Sequence, residues 1–266
     1  MNENPMTNQK VLTEQQYKHG DNLSSRAQLH ELFTVAKEKW FTFVSRHLNL
    51  QENEEILELG SGTGLLWQAN NNQIPENCHI TLTDLSDGML DSIKNNLSDI
   101  RFTMKQMDAQ EITFPDNSFD TVIANHMLYH LPDISKGLQE INRVLKPDGK
   151  LIAATNGMKH LTGLYNLLSE FDSNVDIQRQ TLTFNLDNGE EILQKHFEDI
   201  ECHRYESYLR ITDIKPLLAY YRSMQTMGID FDQFDQEKYA AFLQSILDQD
   251  GHILIQKDQG LFIASN

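Results

Sequence analysis

Cysteine is scarce in this sequence, and its scarcity narrows the kinds of protein it can be. The 266 residues include only two cysteines, Cys78 and Cys202, which are far apart and belong to no C-x-x-C pair. A disulfide framework and a cysteine metal site are therefore not expected, and this usage is typical of a reducing cytosol. The ten histidines form no H-E-x-x-H or other ligand set, so we expect no metal.

The sequence also contains few basic residues and no long apolar run. The 22 lysines and arginines stand against 39 acidic residues, which gives a formal net charge of −17, and the basic residues form no run. A phosphate backbone would be repelled, which argues against nucleic acid as a partner. No apolar run approaches the length of a membrane span, and residues 1–10 lack the charged start and the apolar core of a signal peptide. We therefore expect a cytoplasmic protein without membrane insertion.

What the sequence does contain is a glycine-rich turn between an apolar strand and a helix. Residues 54–64 read EEILELGSGTG, in which the apolar residues indicate a strand covered on both faces. Gly60, Gly62 and Gly64 follow, and glycine allows positive φ and the close approach of a ligand. The helix that begins behind them offers unpaired N–H groups at its positive end. These elements indicate an edge that binds a nucleotide-like ligand.

The spacing of the glycines argues against a dinucleotide. A G-x-G-x-x-G fingerprint counted from Gly60 ends at Leu65, and counted from Gly62 it ends at Trp67. Neither register supplies the third glycine, so an NAD-dependent oxidoreductase is the weaker interpretation.

Polar side chains mark the ends of three further predicted strands. Asp84 ends the second strand, 20 residues after Gly64, where a carboxylate can accept hydrogen bonds from both hydroxyls of a ribose. Asp84 can also be explained as a cap of the helix predicted at residues 86–96. Asp108 follows the third strand and Asn125 ends the fourth. Since ligands of parallel sheets bind beyond the carboxyl ends of the strands, we expect these side chains to share one site.

Four motifs within residues 50–155 resemble those of class I S-adenosylmethionine (SAM)-dependent methyltransferases. They are E-x-G-x-G-x-G from Glu58, DLSDGML from Asp84, the pair Asp108-Ala109, and FPDNSFDTVIANHMLYHLPD from Phe114. The last of these is similar to the small-molecule subgroup that includes the ubiquinone/menaquinone-biosynthesis type methyltransferases. The resemblance implies SAM as cofactor and S-adenosylhomocysteine (SAH) as its product.

The resemblance also implies how the cofactor is held. Leu85 and Met89 would lie against the adenine, the carboxylate of Asp108 would accept from the adenine amino group, and the N–H of Ala109 would donate to the ring. The predicted cofactor-binding residues are Tyr17, Arg26, Glu58, Gly60, Ser61, Gly62, Gly64, Asp84, Leu85, Met89, Asp108, Ala109 and Asn125.

Two pairs of residues in and near this set have more than one interpretation. Tyr17 and Arg26 lie at the start of an N-terminal helical pattern. In one interpretation they fold over the ligand and Arg26 faces a carboxylate. In the other, Tyr17 is a packing residue and Arg26 is a surface charge. His126 and His130, just beyond the fourth strand, are the candidates for a catalytic base because histidine titrates near neutral pH. A histidine in such a loop more often packs or forms a hydrogen bond.

Alternating strands and helices predict right-handed crossovers and a parallel sheet. With the resemblance, the expected fold class is α/β: a Rossmann-like, doubly wound, mostly parallel seven-stranded sheet with an antiparallel last strand, plus a helical cap. We expect a helical pattern across residues 29–43 and a strand, tight turn and strand over residues 252–264. The expected parts are a flexible N-terminus (1–16), N-terminal helices packing on the core (17–50), the SAM-binding core (51–155), a helical cap with one core strand near 200–208 (156–250), and C-terminal strands that complete the sheet (251–266).

The predicted function is transfer of a methyl group from SAM to a small molecule by in-line displacement, in a monomer or homodimer. An RNA acceptor is disfavoured by the charge of −17. The alternatives are a non-catalytic SAM-binding or partner-binding module and, less favoured, the NAD-dependent oxidoreductase.

Overall fold

The main feature of the fold is a seven-stranded sheet. The computed structural model describes residues 6–16, 21–97, 101–173, 182–224 and 235–266. The sheet is built from β2 (Glu55–Leu59), β3 (His79–Asp84), β4 (Phe102–Gln106), β5 (Phe119–Asn125), β6 (Leu145–Asn156), β7 (Asp199–Tyr205) and β10 (Gln259–Ser265). Its order is β4-β3-β2-β5-β6-β10-β7, and β10 runs antiparallel to both of its neighbours while β2 to β6 pair in parallel. The predicted fold class is confirmed.

Helices cover both faces of this sheet. The α-helices of the described residues are α1 (Gln9–Val11), α2 (Asp21–Phe33), α3 (Trp40–Leu48), α4 (Leu65–Asn70), α5 (Asp87–Asn96), α6 (Ile134–Val144), α7 (Thr162–Phe171), α8 (Gly189–Leu193), α9 (Ile214–Ser223) and α10 (Gln236–Asp250). Apolar side chains of α6 and α8 pack in one core on one face, and those of α3, α4 and α5 pack in a second core on the other. Because the central strands are covered on both faces, β2 is an apolar run and all four residues from Ile56 to Leu59 are buried. Among the described residues, no helix is long and apolar enough to cross a membrane.

A second, smaller sheet was not predicted. It contains β1 (Thr34–Ala36), β8 (Ser207–Ile211) and β9 (Ile253–Gln256), all antiparallel, in the order β1-β8-β9. The helical pattern expected across residues 29–43 is therefore interrupted by β1, and the strand near 200–208 divides into β7 and β8. The strand, turn and strand expected over residues 252–264 do not form a hairpin, because β9 and β10 belong to different sheets.

A third apolar core explains why β9 leaves the main sheet. Ile253 and Ile255 of β9 are buried together with Leu209 of β8 and with apolar side chains of α7, α9 and α10. The cap thus buries its own apolar residues against the small sheet. Each inward-facing residue of β9 alternates with an exposed one, as expected for a strand with a single covered face.

Residues 6–16, the described part of the N-terminal segment, differ from the flexible N-terminus that we expected. Met6 is 5% exposed and Leu12 is also buried. The Nε2 of Gln9 donates to Oδ2 of Asp108 at 2.8 Å, and the carbonyl oxygen of Met6 lies 2.7 Å from Nδ1 of His130. The polar composition of this segment concealed two apolar anchors, and its polar groups bind to the loops at the ends of β4 and β5.

Candidate active site

One large cavity lies where the main sheet, the small sheet and the cap meet. Its volume is about 1060 Å³. It is lined by the glycine turn after β2, the loops that follow β3, β4, β5 and β6, the N-terminal segment, α2 and the connection between β9 and β10. This is the position beyond the carboxyl ends of parallel strands at which such sheets bind their ligands.

The glycine turn adopts the backbone that the sequence predicted. Gly60, Gly62 and Gly64 have φ of 62°, 56° and 78°. A Cβ on Gly60 would lie 2.8 Å from Cβ of Met127, closer than side chains tolerate. Gly60 and Gly62 line the cavity, whereas Gly64 does not; it begins α4, and a Cβ there would lie 3.0 Å from Cδ1 of Leu97. Packing at the start of α4, and not contact with the cavity, is thus what requires glycine at position 64.

Glu58 is a carboxyl group enclosed beneath the glycine turn. It is 2% exposed, lines the cavity and accepts a hydrogen bond of 2.6 Å from Nε1 of Trp67. Burial raises the pKa of Glu58 to about 8; the bond from Trp67 opposes this rise, and the nearby charge of Asp84 adds to it. A cationic ligand in the cavity would favour the ionised form of this group.

Asp84 ties the end of β3 to the glycine turn. Its Oδ2 accepts from the N–H of Gly62 at 3.0 Å, and its Oδ1 accepts from the N–H of Ser86 at 2.9 Å. Burial raises its pKa to about 6, although these backbone donors oppose the rise. The cap of α5 is Ser86, whose side chain accepts from the N–H of Met89. The alternative that Asp84 serves as that cap is thus not needed.

The loops after β3 and β4 bring the expected adenine site to the same cavity. Leu85 and the buried side chain of Met89 line it, as do Asp108 and buried Ala109. Oδ1 of Asp108 accepts from the N–H of Gln110 at 2.9 Å, while Oδ2 accepts from Gln9. A ligand amino group would therefore share this carboxylate with Gln9.

Of the four remaining predicted residues, three line the cavity and one lies outside the described residues. Ser61 lines it, and both its N–H and its hydroxyl donate to the carbonyl oxygen of Thr83, at 2.8 Å and 3.0 Å. Asn125 lines it as well, and its Oδ1 is buried without a hydrogen-bond partner among the described residues. Arg26 lines it and lies near His130, whereas Tyr17 falls outside the described residues.

Both candidate histidines lie in the cavity wall as neutral imidazoles. Burial lowers the pKa of His126 to about 4 and that of His130 to about 4. A carbonyl oxygen can only accept, so the contact with Met6 places the hydrogen of His130 on Nδ1 and leaves Nε2 as the nitrogen with the lone pair. His126 has φ of 58°, and its ring lies 5.2 Å from that of Trp40.

Several cavity residues were not predicted. They come from α2, the start of α3, the ends of β6 and β7, the connection between β9 and β10, and the start of β10, and comprise His30, Trp40, Asn156, Tyr205, Lys257 and Gln259. The sequence signal for this part of the cavity was a single lysine, Lys257, between two apolar strands in ILIQKDQGLFIA. We interpreted it as a turn residue. Metal ligands, by contrast, are not grouped: among the residues that the structure describes, no three His, Cys, Asp or Glu side chains could hold an ion.

Comparison with known proteins identifies the domain. Residues 57–153 match the family described as Methyltransferase domain. This stretch of the chain is therefore similar to a methyltransferase domain. The ubiquinone/menaquinone biosynthesis C-methyltransferase UbiE of Psychromonas ingrahamii is 31% identical over 136 residues, which cover 50% of this chain and 53% of that protein. The chain thus spans about half the length of the curated relatives it matches, and the resemblance drawn from the sequence is confirmed for the domain.

Solved structures support the same fold. The phosphoethanolamine N-methyltransferase 2 of Haemonchus contortus, in complex with phosphomonomethylethanolamine and SAH, matches with a TM-score of 0.59 and 22% identity, over 98% of this chain and 60% of that chain. The YcgJ protein from Bacillus subtilis matches with a TM-score of 0.56 and 15% identity, over 84% of this chain and 96% of that chain. At these identities the likeness is one of fold, and it extends into the cap beyond the domain.

Proposed function

We propose that this protein transfers a methyl group from SAM to a small-molecule acceptor. The proposal rests on one observation: the Gly60 turn and the carboxyl groups of Glu58, Asp84 and Asp108 line the same cavity. Three acidic groups around a turn that excludes side chains suit a ligand with a ribose, an amino group and positive charge.

The residues of the chain fit this cofactor. Asp84 would accept from the ribose hydroxyls, Asp108 from the adenine amino group, and Leu85 and Met89 would cover the ring. The negative charge of Glu58 would be favoured by the cationic part of the cofactor. When bound, SAM supplies a methyl group already activated on a sulfonium, so the task left to the protein is alignment of the acceptor and exclusion of water.

A proton acceptor is needed only where the acceptor atom carries a proton. We propose His130 for this role, since its Nδ1–H is held by the carbonyl oxygen of Met6 and Nε2 is the basic nitrogen. His126 is the second candidate. Replacing His130 by Ala should lower turnover by about 100-fold and change its pH profile, and the conservative variant His130→Gln should not restore it. Unchanged turnover and pH profile in His130→Ala would remove the role.

A small acceptor is favoured over a macromolecule by charge and enclosure. The net charge of −17 opposes RNA, and the cap and small sheet surround the cavity. The UbiE relative is named for a small-molecule pathway, and the Haemonchus contortus enzyme was solved with a small phosphorylated amine.

The experiment is a transfer assay with methyl-labelled SAM. The purified protein is incubated with panels of small hydroxyl, amine, thiol and carbon nucleophiles and, separately, with RNA and with protein. We expect label in a small product and formation of SAH, both reduced in Asp84→Asn and retained in the matched variant Asp87→Asn, whose side chain is exposed on the adjacent helix. Binding of SAM without transfer to any panel would instead support a non-catalytic SAM-binding module.

A further inference from the structure

The cavity contains a buried cation that the cofactor site does not use. Lys257, in the connection between β9 and β10, is 6% exposed and lines the cavity. Its Nζ donates to Oγ1 of Thr34 at 3.1 Å and lies 5.8 Å from the ring centroid of Tyr205. Among the described residues, the bond to Thr34 satisfies one of the three N–H donors of the ammonium group.

Among the described residues, no carboxylate forms an ion pair with Lys257. The adjacent Asp258 is bound instead to Arg204, with Oδ1 at 2.7 Å from Nη1. Titratable groups that face Lys257 from other elements include Tyr205 of β7, His30 of α2 and His126 of the loop after β5. The charge of Lys257 helps to lower the pKa of both histidines. Burial lowers the pKa of Lys257 to about 8, so the group is still mainly charged at neutral pH. An ammonium buried without a counter-ion is costly, and a bound anion would offset that cost.

The amide side chains around Lys257 are also incompletely bonded. Asn156 of β6 and Gln259 of β10 occupy paired positions in the sheet, and Tyr205 of β7 pairs with Gln259 on the other side. Oδ1 of Asn156 and Oε1 of Gln259 are buried and have no partner among the described residues. Both line the cavity. A ligand here would thus find the ammonium group of Lys257, two amide oxygens that can accept hydrogen bonds from the ligand, and the ring of Tyr205.

This group of residues lies apart from the expected cofactor site. Counting along the sheet, β10 is three strands from β2, which carries the glycine turn. At about 4.8 Å per strand this separation is roughly 14 Å. The half of the cavity over β2 to β4 presents the three acidic groups, while the half over β6, β10 and β7 presents Lys257. The two halves therefore suit ligands of opposite charge.

We propose that Lys257 binds an anionic oxygen group of the methyl acceptor, such as a carboxylate, a phosphate or a phenolate. The inference rests on the proposed function, because it assigns the second half of the cavity to the acceptor. Thr34 orients the ammonium group, and the short connection between two sheets fixes its position. The neutral His30 and His126 add no positive charge beside Lys257, and Arg26 of α2 is a further cation that lines the cavity. Trp40 and Tyr205, whose rings are 5.2 Å apart, provide a wall for a planar acceptor.

The test is a calorimetric titration of the SAH-saturated protein with three probes: benzoate, phenyl phosphate and neutral benzamide. We expect at least one of the two anions to bind ten times or more tightly than benzamide, and which one does so separates a carboxylate from a phosphate. Lys257→Met should lose this preference, and Lys257→Arg should retain most of it. Lys159→Met, which removes an exposed positive charge from a neighbouring segment, should behave as the wild type.

Titration with SAH on the same samples separates this inference from the proposed function. Affinity for SAH should be unchanged in Lys257→Met. A tenfold loss would mean that Lys257 holds the cofactor's own carboxylate, and the proposal would be wrong. Equal binding of benzoate, phenyl phosphate and benzamide by the wild type would also overturn it, whether or not any variant folds. A wild type that binds the anions through Lys257 but fails to bind SAH would contradict the proposed function and leave the anion site supported.

Discussion

Gly60 and Gly251 share a left-handed backbone but have different surroundings. Their φ values are 62° and 74°. A Cβ on Gly60 would meet Cβ of Met127 at 2.8 Å, whereas nothing lies within 4 Å of a Cβ on Gly251, which ends α10. The pair therefore separates the cost of backbone strain from the cost of filling the cofactor turn.

We expect Gly251→Ala to lower the free energy of unfolding by about 1–2 kcal/mol through strain alone and to leave SAM affinity unchanged. Gly60→Ala should add an overpacking cost of about 1–3 kcal/mol and should weaken SAM binding at least tenfold. Chemical denaturation and calorimetric titration measure the two effects. Equal behaviour of the two variants would show that the close contact with Met127 is not what requires glycine at position 60.

The raised pKa of Glu58 makes stability depend on pH. Because the pKa rises from 4.5 in the unfolded chain to about 8 in the folded protein, the folded state retains a proton that the unfolded state releases in this range. Glu58 therefore contributes fully to the free energy of unfolding below about pH 4.5, and this contribution is lost as the pH rises to about 8.

Glu58→Gln should remove this dependence, because the amide oxygen can still accept from Trp67 but does not ionise. The free energy of unfolding of the variant, relative to that of the wild type, should increase by on the order of a few kcal/mol between pH 5 and pH 8. The control is Glu55→Gln on the same strand, whose side chain is 43% exposed, and it should show no such gain. A wild-type-to-variant difference that stays constant across this pH range would contradict the burial of an ionisable Glu58.

At the residue scale, sequence analysis identified polar residues at the ends of strands. It did not identify residues that come together from distant parts of the sequence. Asp84, Asp108 and Asn125 were recognised because a strand end and a polar residue coincide locally. Lys257 also follows a strand, but we interpreted it as a turn residue, because its role depends on Thr34 and Tyr205, which are distant in sequence. Gly64 was predicted for the cofactor because it belongs to the motif, yet the structure gives it a packing role.

At the scale of elements, β9 shows how local alternation can predict a strand but not its partner. Ile255 is 2% exposed and packs in the cap core, while the adjacent Leu254 is 58% exposed. The period of two residues identifies the strand from sequence. Its pairing with β8 rather than with β10 depends on which apolar surface it covers, and this is a property of the assembled cap.

The two neighbours in β9 provide a matched test of this arrangement. Ile255→Ala should lower the free energy of unfolding by about 2–5 kcal/mol, since it opens a cavity in the cap core. Leu254→Ala should change it by no more than about 0.5 kcal/mol. Equilibrium denaturation measures both. If the two substitutions had the same effect, β9 would not face the cap core as described.

At the scale of the whole molecule, the main sheet was predictable because its rules are general. Right-handed crossovers and alternating strands and helices define the parallel part, and the resemblance supplied the antiparallel last strand. The small sheet was not predictable, since its strands come from residues 34–36, 207–211 and 253–256 and each is short. The helical spacing of apolar residues before and after residue 34 also concealed β1.

The molecule as a whole combines a strongly acidic surface with a divided cavity. The net charge of −17 and the three acidic groups of one half favour a cationic cofactor, while Lys257 in the other half favours an anionic acceptor. This division is the physical basis of the proposed reaction, and it depends first on whether the acidic half binds SAM.

Calorimetric titration with SAM, and separately with SAH, measures whether the acidic half of the cavity binds the cofactor. The wild type and Asp87→Asn should bind both ligands, and Asp84→Ala should bind them at least tenfold more weakly, since each lost hydrogen bond to a charged group costs about 1.5–3 kcal/mol. Circular dichroism of Asp84→Ala checks that the fold is retained. The absence of heat and of any thermal shift with either ligand in the wild type would contradict the account, and nicotinamide cofactors would then be the ligands to titrate.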